Sequence, residues 1–397
     1  MSGRLLRLVC TAALATQVAL VPGAAVAVPE PDGSAEPSVA ELLTDLQKLY
    51  REAEQATEAY NATEERLRHK RAEVARLDGQ LARARLALDD SRSEAGRLAR
   101  RQYQSSSDLS PYLRLLLARD PQHVLDQGHV IGQVARERAG TTARLAGAER
   151  RRDELARQAR AALDAQLTLT ERRKKERDDV RRRLGDVEEM VASLSARQLH
   201  EVAELERSGV DERQRELEDS GALGEDDAKP TAEGERAVRN AVRQLGKPYQ
   251  WGAEGPRSYD CSGLTSWAWD RAGTPIPRTS QEQWAKLPRV PLDALRPGDL
   301  VVYFPEATHV ALYLGDGLVV QAPRPGARVK VSPLAANPVL GAVRPDPDGR
   351  PVSRYAPPAL PATAADGAGG GDDAAAGPPA PGRGGVVGRQ AASRAAQ

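Results

Sequence analysis

The sequence predicts a long all-α coiled-coil hairpin followed by a compact α+β domain, and three observations carry that division. All four tryptophans (Trp251, Trp267, Trp269, Trp284) and the single phenylalanine, Phe304, lie between positions 249 and 304, although aromatics are only 4% of the chain. A large mixed core can form only around that stretch. A heptad-like apolar seam runs through the preceding region, and short β-rich runs separated by glycine turns occur only after Pro297.

The chain opens with a secretory signature. Arg4 and Arg7 form a basic start, Leu8 to Leu20 are mainly apolar, and Ala25-Val26-Ala27 matches the small-x-small cleavage rule. Residues 1–27 therefore read as a signal peptide, too short and wrongly flanked for a confident membrane span; an uncleaved anchor is the alternative. Cleavage removes Cys10 and leaves Cys261 as the one cysteine, either a reactive thiol or a site of intermolecular linkage. Residues 28–38 are a Pro-containing linker.

Spacings of three and four connect Val39, Leu42, Leu46, Leu49, Ala53, Ala56, Tyr60, Thr63, Leu67, Lys70, Val74, Leu77, Leu81, Ala84 and Leu88. Such a seam argues for a coiled coil and needs a partner helix. The pattern breaks over 103–128, where Ser105-Ser106-Ser107-Asp108, Pro111 and the cluster Leu113, Leu115, Leu116 and Leu117 occur. It resumes in a second helical stretch to 218, with Val180, Leu184, Val187, Val191 and Leu194 as its best seam. The helical region is thus 39–218, either an antiparallel hairpin with 103–128 at its tip or one half of a dimer. The chain has 57 basic and 56 acidic residues, a net charge of +1, and runs such as Glu171 to Arg183 read as a solvated helix face. Nothing in this balance points to nucleic acid.

Gly221, Gly224, Pro230 and the acids Glu225, Asp226 and Asp227 mark a linker over 219–232. The compact domain follows at 233–345. Beyond it, residues 346–397 are rich in Pro, Gly and Ala and predict a disordered tail, since little apolar surface is available to offset ordering entropy.

The domain holds one cysteine, Cys261, and one histidine, His309; the other histidines (His69, His123, His129, His200) lie in the helical region. Asp260-Cys261-Ser262-Gly263 precedes a helix running from Leu264 to Ala272 and ended by Gly273. That places the thiol at a helix N-terminus, where unsatisfied amides and the dipole lower its pKa and backbone donors can receive an oxyanion. Strands are predicted over 300–304, 309–314 and 318–321, with shorter ones at 329–331 and 339–343. A tight turn at Asp316-Gly317 brings Gln321 back to the start of the His309 strand. A polar side chain there can fix the imidazole tautomer so that the other nitrogen faces the thiol. A helix-terminal cysteine, a strand histidine and a polar orienter form a papain-like thiol-hydrolase arrangement. Taken singly, Cys261 also reads as a buried small apolar residue and His309 as a structural one. No spaced ligand cluster or phosphate-cradling glycine motif is present, so neither metal nor cofactor is expected.

At these residues the sequence resembles the NlpC/p60 family of cell-wall cysteine peptidases. The matches run in order through Gly246-Lys247-Pro248-Tyr249-Gln250-Trp251-Gly252, Asp260-Cys261-Ser262-Gly263-Leu264, Pro277-Arg278-Thr279-Ser280-Gln281, Pro297-Gly298-Asp299-Leu300-Val301 and His309-Val310-Ala311-Leu312-Tyr313-Leu314-Gly315. The resemblance implies a papain-like α+β fold with Cys261 as nucleophile, His309 as base and Gln321 as third polar residue, where many members carry a second histidine. It places Tyr249 beside the nucleophile, and Asp260 and Ser262 near the substrate path. It implies a secreted peptidoglycan D,L-endopeptidase that cuts the D-glutamyl to diamino acid bond of stem peptides. The helices are similar to those of secreted actinobacterial wall-remodelling peptidases, which can cover the cleft or dock onto a membrane division complex; 103–128 is the candidate contact. A non-catalytic wall-binding scaffold and a cell-wall amidase are the competing functions.

Overall fold

The apolar seam of the first helical stretch is buried by the second, within one chain. A computed structural model describes residues 37–105, 121–224 and 228–360. The signal peptide, the Ser105 to Leu117 break beyond Ser105 and the tail beyond 360 lie outside the described residues. Helix α1 spans Val39–Ser105 and α2 spans Pro121–Ser193. Both extend into the 103–128 region where a break is expected. Leu42 and Leu46 pack with Val187 and Leu194, whereas Leu77 and Leu81 pack with Leu155 and Ala159, so the helices run antiparallel. Ion pairs Glu52–Arg183 and Glu64–Arg173 flank the seam. Leu67 and Val180 are fully buried, each contributing about 1.5–3 kcal/mol through apolar burial.

Helix α3 (Ala196–Asp219) starts at a capping box in which Ser195 accepts from the Gln198 amide and the Gln198 side chain accepts from the Ser195 amide. It ties the helices to the C-terminal domain: Gln214 donates to the Gly317 carbonyl (3.3 Å) and accepts from the Ala335 amide (3.0 Å).

That domain contains α4 (Ala232–Val242), α5 (Cys261–Ala272), α6 (Ser280–Lys286) and a six-stranded antiparallel sheet ordered β1-β6-β2-β3-β4-β5. The strands are β1 (Arg289–Val290), β2 (Leu300–Tyr303), β3 (His309–Gly315), β4 (Leu318–Gln321), β5 (Lys330–Pro333) and β6 (Val339–Val343). Period-two alternation sends Val310, Leu312 and Val320 toward α4 and α5, while Ala311, Tyr313 and Val319 face the opposite side, where Leu217 and Leu223 pack. Trp269 of α5 is fully buried and donates to the Gly298 carbonyl at 3.1 Å. Asp316 and Gly317 both have positive φ (51° and 66°), the geometry of the tight turn that returns β4 along β3.

The domain's contacts continue past 345, where the tail is expected to begin. Asp346 pairs with Arg296 at 2.9 Å, Pro351 forms a β-bridge with Thr231, and the Val352 amide donates to the Pro230 carbonyl. Composition alone misses this segment because a largely buried ion pair and backbone bonds hold it, with Leu360 its one large apolar residue packed on the core.

Candidate active site

Asp260 caps α5. Its backbone is extended (φ −93°, ψ 178°) and its carboxylate accepts from the Gly263 amide at 2.6 Å, which fixes Cys261 as the first helical residue. A Cβ at Gly263 would lie 2.2 Å from the Ala253 carbonyl oxygen, so this close approach requires glycine. The fully buried Asp260 carboxylate is held by the Arg278 guanidinium at 3.1 and 2.7 Å. Arg278 also donates to Ser262 Oγ (2.8 Å) and pairs with Glu254 (3.0 Å), using the planar fork that lysine lacks.

His309 is the first residue of β3, opposite Tyr303 of β2. Its Nε2 lies 2.6 Å from Gln321 Oε1, and Gln321 Nε2 donates to Ser332 Oγ at 2.8 Å. With Oε1 accepting, Nε2 carries the ring proton and Nδ1 is left for the cleft. The structure therefore places Gln321 against the distal imidazole nitrogen, as the β3–β4 turn suggests. Tyr249 and Ser262 are buried beside the thiol.

One turn of α1 covers the thiol and the imidazole together. Glu58 is buried; its carboxylate accepts from Ser262 Oγ (2.8 Å) and the Ser280 amide (3.0 Å), and lies 3.9 Å from Cys261 Sγ. Glu54, one turn earlier, lies 3.4 Å from His309 Nδ1, an ion-pair separation rather than a hydrogen bond. Asn61 donates to Asp260 at 3.0 Å, Tyr60 packs edge-on against Trp251 (centroids 5.0 Å apart), and Arg68 pairs with Glu254 at 3.1 Å.

These carboxyls set the charge state. Burial pushes the Cys261 thiol well above its ordinary value, and Glu58, Asp260 and Glu54 add to that; the Ser262 amide opposes them weakly. The expected lowering at a helix N-terminus is thus reversed, because α1 removes the thiol from water and sets carboxylates around it. Burial alone would push the His309 imidazole down, yet Glu54, Gln321 and Glu58 hold it above its ordinary value. Glu58 itself rises to about 7, first through burial and then through Asp260, against Arg278, Ser262 and Ser280.

Sequence reasoning misses Glu54, Glu58 and Asn61. Their spacing of four and three puts them on one flank of the α1 seam, but a polar stripe beside a seam reads equally as a solvated face. Arg278 falls within the Pro277 to Gln281 motif, and only the fold, which buries Asp260 against it, reveals its role.

Residues 246–341 match the model of the NlpC/P60 family. A probable endopeptidase of Corynebacterium glutamicum is 43% identical over 118 residues, which are 30% of this chain and 56% of that protein. A probable endopeptidase of Mycobacterium tuberculosis is 39% identical over 108 residues, 27% of this chain and 28% of that protein. The chain thus spans about half the length, or less, of these curated relatives. Among solved structures, the NlpC/p60 domain of the peptidoglycan hydrolase SagA is 31% identical, with 28% of this chain and 97% of that chain covered and a TM-score of 0.27. RipD of Mycobacterium tuberculosis, described as a non-catalytic NlpC/p60 domain protein adapted to peptidoglycan binding, is 31% identical, covers 28% and 96%, and has a TM-score of 0.27. With the family match falling on the antiparallel sheet and the helix that carries Cys261, the C-terminal part of this chain is an NlpC/P60 domain that follows long N-terminal helices.

Proposed function

We propose that the chain is an exported peptidoglycan D,L-endopeptidase held closed by its own helix α1. Cys261 is the nucleophile, His309 the base and Gln321 its orienter. Tyr249, Asp260 and Ser262 shape the substrate path, and the bond cut is D-glutamyl to diamino acid. The observation that carries the reading is the gathering of thiol and imidazole beneath Glu58 and Glu54, one helical turn apart.

When α1 leaves, the thiol returns toward water, loses two facing carboxyls and ionises against His309. The thiolate attacks the scissile carbonyl carbon, and first-turn amides of α5 receive the oxyanion. The C–N bond breaks as His309 protonates the leaving amine. Water, deprotonated by the same imidazole, then hydrolyses the thioester. Residues 1–27 direct export, and the helical region is the surface offered to a membrane division complex.

The buried, neutral thiol favours one second reading, a non-catalytic wall-binding scaffold. Digestion of defined muropeptides separates the two. We expect full-length chain carrying Glu58→Arg, which sets a cation against Arg278 and expels α1, to release products that mass analysis reads as cuts after D-glutamate. Products cut at the sugar-to-peptide bond would indicate an amidase. An opened chain whose thiol reacts with iodoacetamide but which cuts no muropeptide would establish the scaffold.

A further inference from the structure

The contacts above account for the thiol side of the cleft; the imidazole side has its own polarity. A cavity of about 300 Å³ opens there between the sheet and the helices. Its sheet wall includes Phe304, Gln321, Arg324 and Lys330, and its helical wall includes Glu54 and Glu206. It therefore begins at the two residues that touch His309 from opposite ring nitrogens.

Position gives this cavity a role. The group that leaves as an amine takes its proton from His309, so it must sit against that ring. That amine meets the ring at Nδ1, where Glu54 borders the same cavity that Arg324 and Lys330 line, so the group attached to it has this cavity to enter.

Charge gives it a preference. Arg324 holds the Glu206 carboxylate in a two-pronged pair at 2.8 and 3.1 Å, and its guanidinium lies over the Tyr50 ring, 4.7 Å from the centroid. Burial pushes the Glu206 carboxyl up, but Arg324, followed by Lys330 and Arg213, holds it below the usual carboxylate range. The domain side of the cavity is built to keep a carboxylate ionised in partial burial. Helices α1 and α3 thus set carboxylates at both ends of the cleft, Glu58 beside the thiol and Glu206 beyond the imidazole.

Building on the endopeptidase reading, we infer that Arg324, supported by Lys330, is a specificity-determining anchor for a free carboxylate on the residue that follows the scissile bond, and that Glu206 stands in for it in the resting chain. The substrate class is a stem peptide whose diamino acid keeps a free carboxylate, in preference to one in which that group is amidated.

The test uses the full chain opened by Glu58→Arg, with Glu54→Arg added where iodoacetamide still labels Cys261 slowly. Two probes are compared, the tripeptide L-alanyl-γ-D-glutamyl-meso-diaminopimelate and the same peptide with its diaminopimelate carboxylates amidated. Cleavage is followed in the opened chain, and binding by calorimetry in the opened chain with Cys261→Ala. We expect the free acid to be favoured by at least about tenfold, the scale of a charge-assisted pair. In Arg324→Gln that advantage should vanish, chiefly through KM, and Arg324→Lys should restore part of it. An unchanged advantage in Arg324→Gln, with cleavage intact, overturns the anchor and leaves the endopeptidase reading standing. Arg324-dependent binding without cleavage does the reverse, and binding of neither probe overturns both.

Discussion

Replacing Glu58 by glutamine isolates the proton that closes the site. In the resting chain the Glu58 carboxyl titrates at about 7 against an ordinary 4.5, so closure takes up a proton. A raised carboxyl pKa penalises the closed form increasingly as pH rises from about 4.5 to about 7, after which the penalty is constant. The gap corresponds to roughly 3 kcal/mol. Glutamine is neutral and of equal size, and keeps one of the two acceptors now serving Ser262 and the Ser280 amide; losing the other returns about 1 kcal/mol. His309 acts in the same direction: its raised pKa stabilises closure below its ordinary value of 6.5, and that contribution is lost as pH rises through the raised value. Glu54 and Gln321 supply most of that shift in both chains, and only the part due to Glu58, the smallest of these contributions, differs between them. The assay is the pH dependence of Cys261 alkylation by iodoacetamide. Labelling proceeds from the open form, where thiol ionisation is the same in both chains. The wild-type to Glu58→Gln rate ratio should climb on the order of fiftyfold between about pH 5 and pH 8. A flat ratio, or a glutamine variant that labels faster at every pH, would refute a latch in which a buried carboxyl is closed by its proton.

Three further outcomes follow from the same geometry. Gln321→Ala in the opened chain removes the 2.6 Å contact that fixes the His309 tautomer and should lower kcat roughly tenfold to a hundredfold with little change in KM, read by steady-state muropeptide cleavage. Leu67→Ala, at a fully buried seam position, should destabilise the helical hairpin by about 2–5 kcal/mol, measured by urea unfolding followed by circular dichroism. Arg278→Gln leaves the Asp260 carboxylate buried without its cation and should cost about 3–5 kcal/mol, read as a lowered midpoint for loss of tryptophan fluorescence.

The β-strand pattern and the one-cysteine, one-histidine economy of the domain made much of the fold legible in the sequence. Alternation over 300–321 predicts three strands, and a turn at Asp316-Gly317 suffices to carry Gln321 back to His309. The α1 seam likewise identifies its own buried residues, from Leu42 to Leu88. What stays hidden is which surface the flank of that seam meets. Glu54, Glu58 and Asn61 differ in no local property from solvated helix residues; docking on a site some 200 positions away (Asn61 to Asp260 spans 199) is what buries them. The same docking inverts the expected thiol pKa, a consequence no helix-terminus argument contains. The edge of the domain past Val343 is hidden for another reason, since the polar contacts of Asp346, a few backbone bonds and the isolated Leu360 leave no periodic hydrophobic signature.

The most direct measurement is muropeptide turnover by three full-length proteins at equal concentration: wild type, Glu58→Arg, and Glu58→Arg with Cys261→Ala. The account predicts little turnover from the first, strong turnover from the second and none from the third. Equal turnover by the first two, or persistence in the third, would contradict a thiol hydrolase closed by α1.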